Sequence, residues 1–259
     1  MNDEARWATY NGIGMEAYEQ GRYAEAEKLF LAALEGAEKL GQHDTRLATS
    51  LNNLANLYHS QGKYAQAESL YQRALATREE TLGPEHPQVA QSLNNLAALY
   101  RDLGRYADAE PLFRRSLTIK ERMLGPNHPV VATTLNNLAA LYRAQGKYTE
   151  AEPLFRRSLA IRETALGPTH SAVATSLSGL AELYQTQGKY TEAAPLYQRA
   201  LALREKVLGS DHPAVATTLE HYAALLRQLN RETDAAKMEA HARAIRAKHA
   251  QENPTDRNV

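Results

Sequence analysis

A segment reading LNNLAALYRDLGRYADAEPLFRRSLTIKERMLGPNHP, residues 93 to 129, returns almost unchanged from residue 135 and more weakly around 51, 177 and 219, with a period of 42 residues. Self-similarity at that spacing marks stacked supersecondary units, each too small to bury a core alone. It overrides the one or two ordinary domains that 259 residues would otherwise suggest. The expectation is one array over about residues 5–250, with repeats near 5–44, 45–86, 87–128, 129–170, 171–212 and 213–250, followed by a disordered tail at 251–259.

Within one unit, Leu93, Leu96, Ala97 and Tyr100 share one stripe of a helix that turns about 100° per residue, which predicts a first helix. After Gly104, the residues Tyr106, Ala109, Leu112, Phe113, Ser116, Leu117 and Ile119 trace a second stripe that runs to Leu124. Gly125 and Pro126 end it, because glycine accepts the terminating left-handed conformation and proline cannot continue a helix. The next helix opens at Pro129, where a missing amide hydrogen costs nothing. Small residues recur where helices must approach closely, at Ala55, Ala97, Ala139, Ala181 and Ala223 on the first helix and at Ala67, Ala109, Ala151, Ala193 and Ala235 on the second. Phe30, Tyr71, Phe113, Phe155 and Tyr197 are the bulky plugs opposite. Pro111, Pro153 and Pro195 fall beyond the first turn of the second helix, where a gentle bend is expected.

The pattern Leu93-x-x-Leu96-Ala97-x-x-Tyr100 followed by Ala109-x-x-x-Phe113 resembles the tetratricopeptide repeat signature, and the unit with LNNLA and LGPxHP resembles the kinesin light chain variety. The common form of the repeat has about 34 residues. The added length is expected to extend the second helix. The resemblance implies an all-α, right-handed superhelical solenoid of about six helix-turn-helix repeats whose first helices line a concave groove, and related repeats hold extended peptides in such a groove by asparagines. The chain shows no coiled-coil segment of the sort by which true light chains join a motor, so no transport role is expected.

Function is sought in residues that packing leaves over. On the helical wheel Asn53, Asn95 and Asn137 form one track and Asn11, Asn52, Asn94 and Asn136 another, both turned away from the apolar stripe. An asparagine amide donates and accepts, so it can pair with a peptide backbone whatever the guest's side chains. Arg101 and Arg143, with His59 at the equivalent place, lie seven residues beyond the second track and favour an acidic guest. The ladder lapses at Ser178, Gly179, Glu220 and His221, which places the ligand zone in the first four units. Alternatively, the asparagines bond only between adjacent helices.

The expectation is a non-catalytic interaction scaffold binding an extended, acidic peptide. Two alternatives stand beside it: a self-associating structural module, and a sensor or regulatory module for a signalling peptide or small polar ligand. Thirty basic residues balance thirty acidic ones, so no bulk charge recommends nucleic acid or an anionic membrane. With no cysteine, thiolate catalysis and cysteine-ligated zinc are excluded. His86, His128, His170 and His212 recur in the turns without a local second ligand, so turn chemistry is preferred to a metal site. Neither a phosphate-binding glycine loop nor a nucleophile motif appears, and no enzyme activity or cofactor is expected. The first thirty residues read as neither signal peptide nor membrane span, which makes a cytoplasmic protein the expectation.

Overall fold

The structure, a computed structural model, describes residues 3–252. Residues 251 and 252 continue the last helix, and the remainder of the tail expected to be disordered lies outside the described residues. The described residues form twelve helices and no strand, divided between two compact units, one running to Met123 and the other Leu124–Glu252. In the first unit α1 (Asp3–Glu19) pairs with α2 (Tyr23–Leu40), α3 (Thr45–Ser60) with α4 (Tyr64–Leu82), and α5 (Pro87–Asp102) with α6 (Tyr106–Leu124). In the second, α7 (Pro129–Ala144) pairs with α8 (Tyr148–Leu166), α9 (Ser171–Thr186) with α10 (Tyr190–Leu208), and α11 (Pro213–Gln228) with α12 (Glu232–Glu252). From α3 to α11 the first helix of each pair has 16 residues, whereas α4, α6, α8 and α10 have 19, so the second helix is the longer one.

Local chemistry sets these boundaries. Gly104 turns the chain between α5 and α6 at φ 71°, and Asn230 takes the same left-handed conformation in the last pair at φ 57°, which asparagine tolerates better than other side chains. His86, His128, His170 and His212 are the N-caps of α5, α7, α9 and α11, each accepting on Nδ1 from the amide two residues on at 3.1–3.2 Å. An accepting Nδ1 carries no proton, so the cap requires neutral imidazole. The helices α6, α8 and α10 run on through Pro111, Pro153 and Pro195.

Packing follows the repeat. Every alanine at the two close-approach positions is fully buried, and so are the plugs Phe30, Tyr71, Phe113, Phe155 and Tyr197. Burying each ring contributes roughly 2–3 kcal/mol. A row of cations, the buried Arg78, Lys120 and Arg162 and the half-buried Arg204, also recurs near the end of the second helix. Arg78 donates to the Gln88 carbonyl at 3.1 Å and to Ser92 Oγ at 2.7 Å, and Arg162 repeats the arrangement on Ala172 and Ser176 at 2.9 and 2.8 Å. These bonds clasp the first turns of the following helix, and burial pushes Lys120 down to about 8. On α12 the exposed Arg243, and Glu239 bonded to Arg227 at 3.0 Å, replace the apolar plug face.

Candidate functional site

In the first unit the two asparagine tracks are cross-linked. Asn53 on α3 donates through Nδ2 to Asn11 Oδ1 on α1 at 2.8 Å, and Asn95 on α5 donates to Asn52 Oδ1 on α3 at 3.0 Å. The second asparagine of each pair therefore reaches back to the first asparagine of the preceding repeat. Gln91 Nε2 braces Asn95 Oδ1 at 2.8 Å, and Tyr71 donates its hydroxyl to Asn56 Oδ1 at 2.6 Å. Asn52 and Asn94 are only 7% and 4% exposed, so the inner track is largely buried; Asn11, Asn53 and Asn95 are half-buried. Asn94 and Asn137 are engaged as well.

The stitch fails in the second unit for a visible reason. Asn52 takes its bond from the residue forty-three positions on, and the same offset from Asn136 falls on Gly179, which has no side chain to donate. Asn136 Oδ1 is buried without a partner. The missing side chain makes room for a plug, since a Cβ on Gly179 would lie 2.4 Å from the Phe155 ring.

The three cationic positions also find local partners. His59 Nε2 meets Asp102 Oδ2 at 2.9 Å, while Arg101 Nη2 holds Asp102 Oδ1 at 2.8 Å. An ionised carboxylate only accepts, so a neutral His59 carries its proton on Nε2 and keeps Nδ1 as an acceptor. Partial burial works to raise the Asp102 pKa, but the His59 hydrogen bond and the Arg101 charge outweigh it and hold the carboxyl below its ordinary value. In the second unit Arg143 Nη2 meets Glu182 Oε2 at 2.7 Å, and His221 Nδ1 lies 3.2 Å from Glu182 Oε1. Arg101 and Arg143 are thus paired cations, which removes the physical reason for expecting an acidic guest.

A cavity of about 370 Å³ opens in the first unit, lined by Tyr18, Asn56, His59, Ser60, Tyr64, Tyr71 and Asp102. Of these only His59 stands among the residues expected from sequence. A signal was there to be read: the plug changes from phenylalanine to tyrosine at 71 and 197, and each added hydroxyl meets a polar residue on the first helix, Asn56 and Gln185 respectively. Among the described residues no cluster of histidine and carboxylate suited to a metal ion occurs, and no helix is long and apolar enough to cross a membrane.

The sequence matches the profile of the tetratricopeptide repeat over residues 7–80, 46–122, 95–164, 130–206 and 172–248. The chain belongs to the tetratricopeptide repeat family. Its structure is similar to that of BtubC (BKLC) from P. vanneervenii, at 25% identity over 87% of this chain and 91% of that one, with a TM-score of 0.68. It is also similar to the nearly identical TPR-like repeats of a Podosopora anserina putative kinesin light chain, at 29% identity, 83% and 98% coverage and a TM-score of 0.60. A Rap protein complexed with Competence and Sporulation Factor matches at 19% identity, 97% and 77% coverage and a TM-score of 0.70, a likeness of fold alone. No curated protein matches the sequence. Tetratricopeptide repeats serve in general as non-catalytic scaffolds for protein interaction.

Proposed function

We propose that this tetratricopeptide chain is a non-catalytic scaffold that receives an extended segment of a partner protein along the first-helix face of its first unit. The observation that supports this most is the unspent hydrogen-bonding capacity of Asn53 and Asn11. Asn53 uses one amide hydrogen on Asn11 and keeps the other together with its carbonyl oxygen, and Asn11 keeps both amide hydrogens. Both residues are half-buried, so these groups are shielded yet reachable. Donors and acceptors alternating on neighbouring helices suit a peptide backbone, whose own N–H and C=O groups alternate in the same way. The segment need not be acidic, because Asp102 and Glu182 already answer Arg101 and Arg143.

A photo-crosslinking amino acid placed at Asn53, and in a second protein at the exposed Arg114 on α6, tests the reading against a library of ten-residue peptides. Attachment from position 53 and not from position 114 is the expected result. Equal attachment from both, or none from 53, would sink the reading.

A further inference from the structure

The cavity of the first unit has a chemistry distinct from the amide rungs beside it. Its walls include the rings of Tyr18, Tyr64 and Tyr71, with the Asn56 amide, the His59 imidazole and the Asp102 carboxylate among them. Asp102 is the only residue with a fixed formal charge in that lining, since Arg101, which holds its Oδ1, does not face the cavity. The Nδ1 of a neutral His59 adds an acceptor, and Asp102 Oδ2 has taken only the His59 bond, whereas Asn56 Oδ1 already accepts from Tyr71 and Asn95. The Asp102 Oδ2 favours a cation by direct charge-assisted hydrogen bonding, and the Tyr18 and Tyr64 rings, which are less buried than Tyr71, line the way to it. An anion would meet the carboxylate across a partly desolvated wall. An uncharged apolar group would strip water from the same carboxylate and return nothing.

We propose that this cavity is a receptor for a side-chain cation, an arginine guanidinium or lysine ammonium carried by the bound segment, with Asp102 shared between Arg101 at Oδ1 and the guest at Oδ2, and with Tyr18, Tyr64 and Tyr71 as walls. Its volume of about 370 Å³ takes either head group with its aliphatic stem. Tyr71 is fixed by its bond to Asn56, and His59 sits edge-on to Tyr64 and Tyr71 with ring centres 5.9 and 6.4 Å apart, so much of the wall is set before a guest arrives. The expected charge preference is the reverse of the one that Arg101 and Arg143 suggest from sequence. The inference deepens the scaffold reading, since the cation would arrive on the bound segment, but its test stands apart from that reading.

The test titrates the full chain with N-acetyl-arginine amide, the lysine analogue, the uncharged citrulline analogue and the glutamate analogue, following tyrosine and His59 ring resonances by NMR. The arginine and lysine compounds should shift the Tyr18, Tyr64 and His59 signals saturably, at least tenfold more tightly than citrulline or glutamate. Asp102→Asn should weaken arginine binding tenfold or more while the thermal melt shows the protein still folded. Tyr64→Leu, at an exposed wall position, should weaken arginine without changing the rank order. Equal response to citrulline and arginine, a preference for glutamate, or unshifted rings in the folded protein would each overturn the proposal. Peptide attachment at position 53 with silent rings would defeat the cation receptor alone. Arginine binding without any attachment would defeat the scaffold reading alone.

Discussion

Each unit holds one carboxylate between a guanidinium and an imidazole, but Asp102 is the last residue of α5 and Glu182 stands four residues before the end of α9. Position along the helix decides what the same three groups can do. The Asp102 side chain keeps 35% of its surface and borders a cavity, whereas Glu182 keeps 22% and ties α7, α9 and α11 together. The first cluster is open to a guest and the second serves as a lock. That contrast predicts the largest effect. Glu182→Ala leaves Arg143 part-buried with its Nε already unpartnered, and should cost on the order of 2–3 kcal/mol, somewhat less than a fully buried pair. Asp102→Asn should cost less than about 1 kcal/mol, since water reaches the site. Urea unfolding of the two variants measures both, and equal losses would erase the distinction.

The asparagine stitch offers a second contrast, closed in the first unit and lapsed at Gly179 in the second. Restoring the side chain by Gly179→Asn would supply the donor that Asn136 Oδ1 lacks. It would also drive a Cβ to 2.4 Å from Phe155, and a ring held in a close-packed core has little room to retreat. Overpacking should win, with a net loss of about 1–2 kcal/mol in urea unfolding. Adding Phe155→Leu should recover part of the Gly179→Asn loss, although Phe155→Leu alone is destabilising. If Gly179→Asn stabilises the parent protein, the glycine is not there for the ring.

The period made the helices, their turns and the plug positions legible, because each is dictated by a local rule repeated several times: Gly104 by a positive φ, Pro129 by a spare first-turn amide, Phe113 by its place on the buried stripe of α6 one turn after Ala109. The site was legible only as a set of columns. A helical wheel shows that Asn52 and Asn53 leave the apolar stripe, but it cannot show that Asn53 reaches Asn11 and that Asn52 is buried under Asn95. Such bonds depend on the offset between neighbouring helices. The pairing of Arg101 with the adjacent Asp102 was open to inspection in sequence, whereas Arg143 finds Glu182 only through the stacking of α7 on α9. Departures from the repeat were more informative than the repeat itself: the tyrosine at 71, the glycine at 179 and the acids at 102 and 182 all mark places where local chemistry changes.

The histidines of the second unit sharpen the lock reading through pH. The hydrogen bond to Glu182 raises the His221 pKa above 6.5 against the effect of burial, so its contribution is fully present below 6.5 and is lost as pH rises through the raised value. Burial works to raise the Glu182 pKa, but the His221 bond and the Arg143 charge outweigh it and hold it below 4.5, so its contribution is present above 4.5 and lost as pH falls through the lowered value. The cluster is therefore strongest between about 4.5 and 6.5. His212 has the opposite sign: burial, then His249 and Arg204, lower its pKa, so its stabilising contribution is present above 6.5 and lost as pH falls through the lowered value. His221→Gln should lower the melting temperature by about 2–3 °C near pH 6 and by progressively less toward pH 9. His212→Asn keeps a capping side chain and should reduce the loss of stability on acidification. A His221→Gln deficit that does not change with pH would detach the imidazole from the lock.

The smallest effects test whether the first unit's rungs are spare enough to serve a guest. Asn95→Ala removes the donor from Asn52 Oδ1, an oxygen on a residue only 7% exposed, so little water can replace it, and the cost should be about 0.5–1 kcal/mol. Asn53→Ala removes the donor from Asn11, which is half-buried on α1 where water can substitute, and should cost only a few tenths of a kcal/mol. Urea unfolding of both, alongside peptide titration of both, separates the roles. Asn53→Ala should weaken peptide binding far more than it weakens the fold, because it deletes the amide hydrogen and carbonyl oxygen left for a guest. Asn95→Ala should do the reverse, since its amide is committed to Asn52 and Gln91. If Asn53→Ala unfolds the protein as readily as Asn95→Ala and leaves peptide binding unchanged, Asn53 is a stitch like Asn95 and the first unit has no amide track to offer.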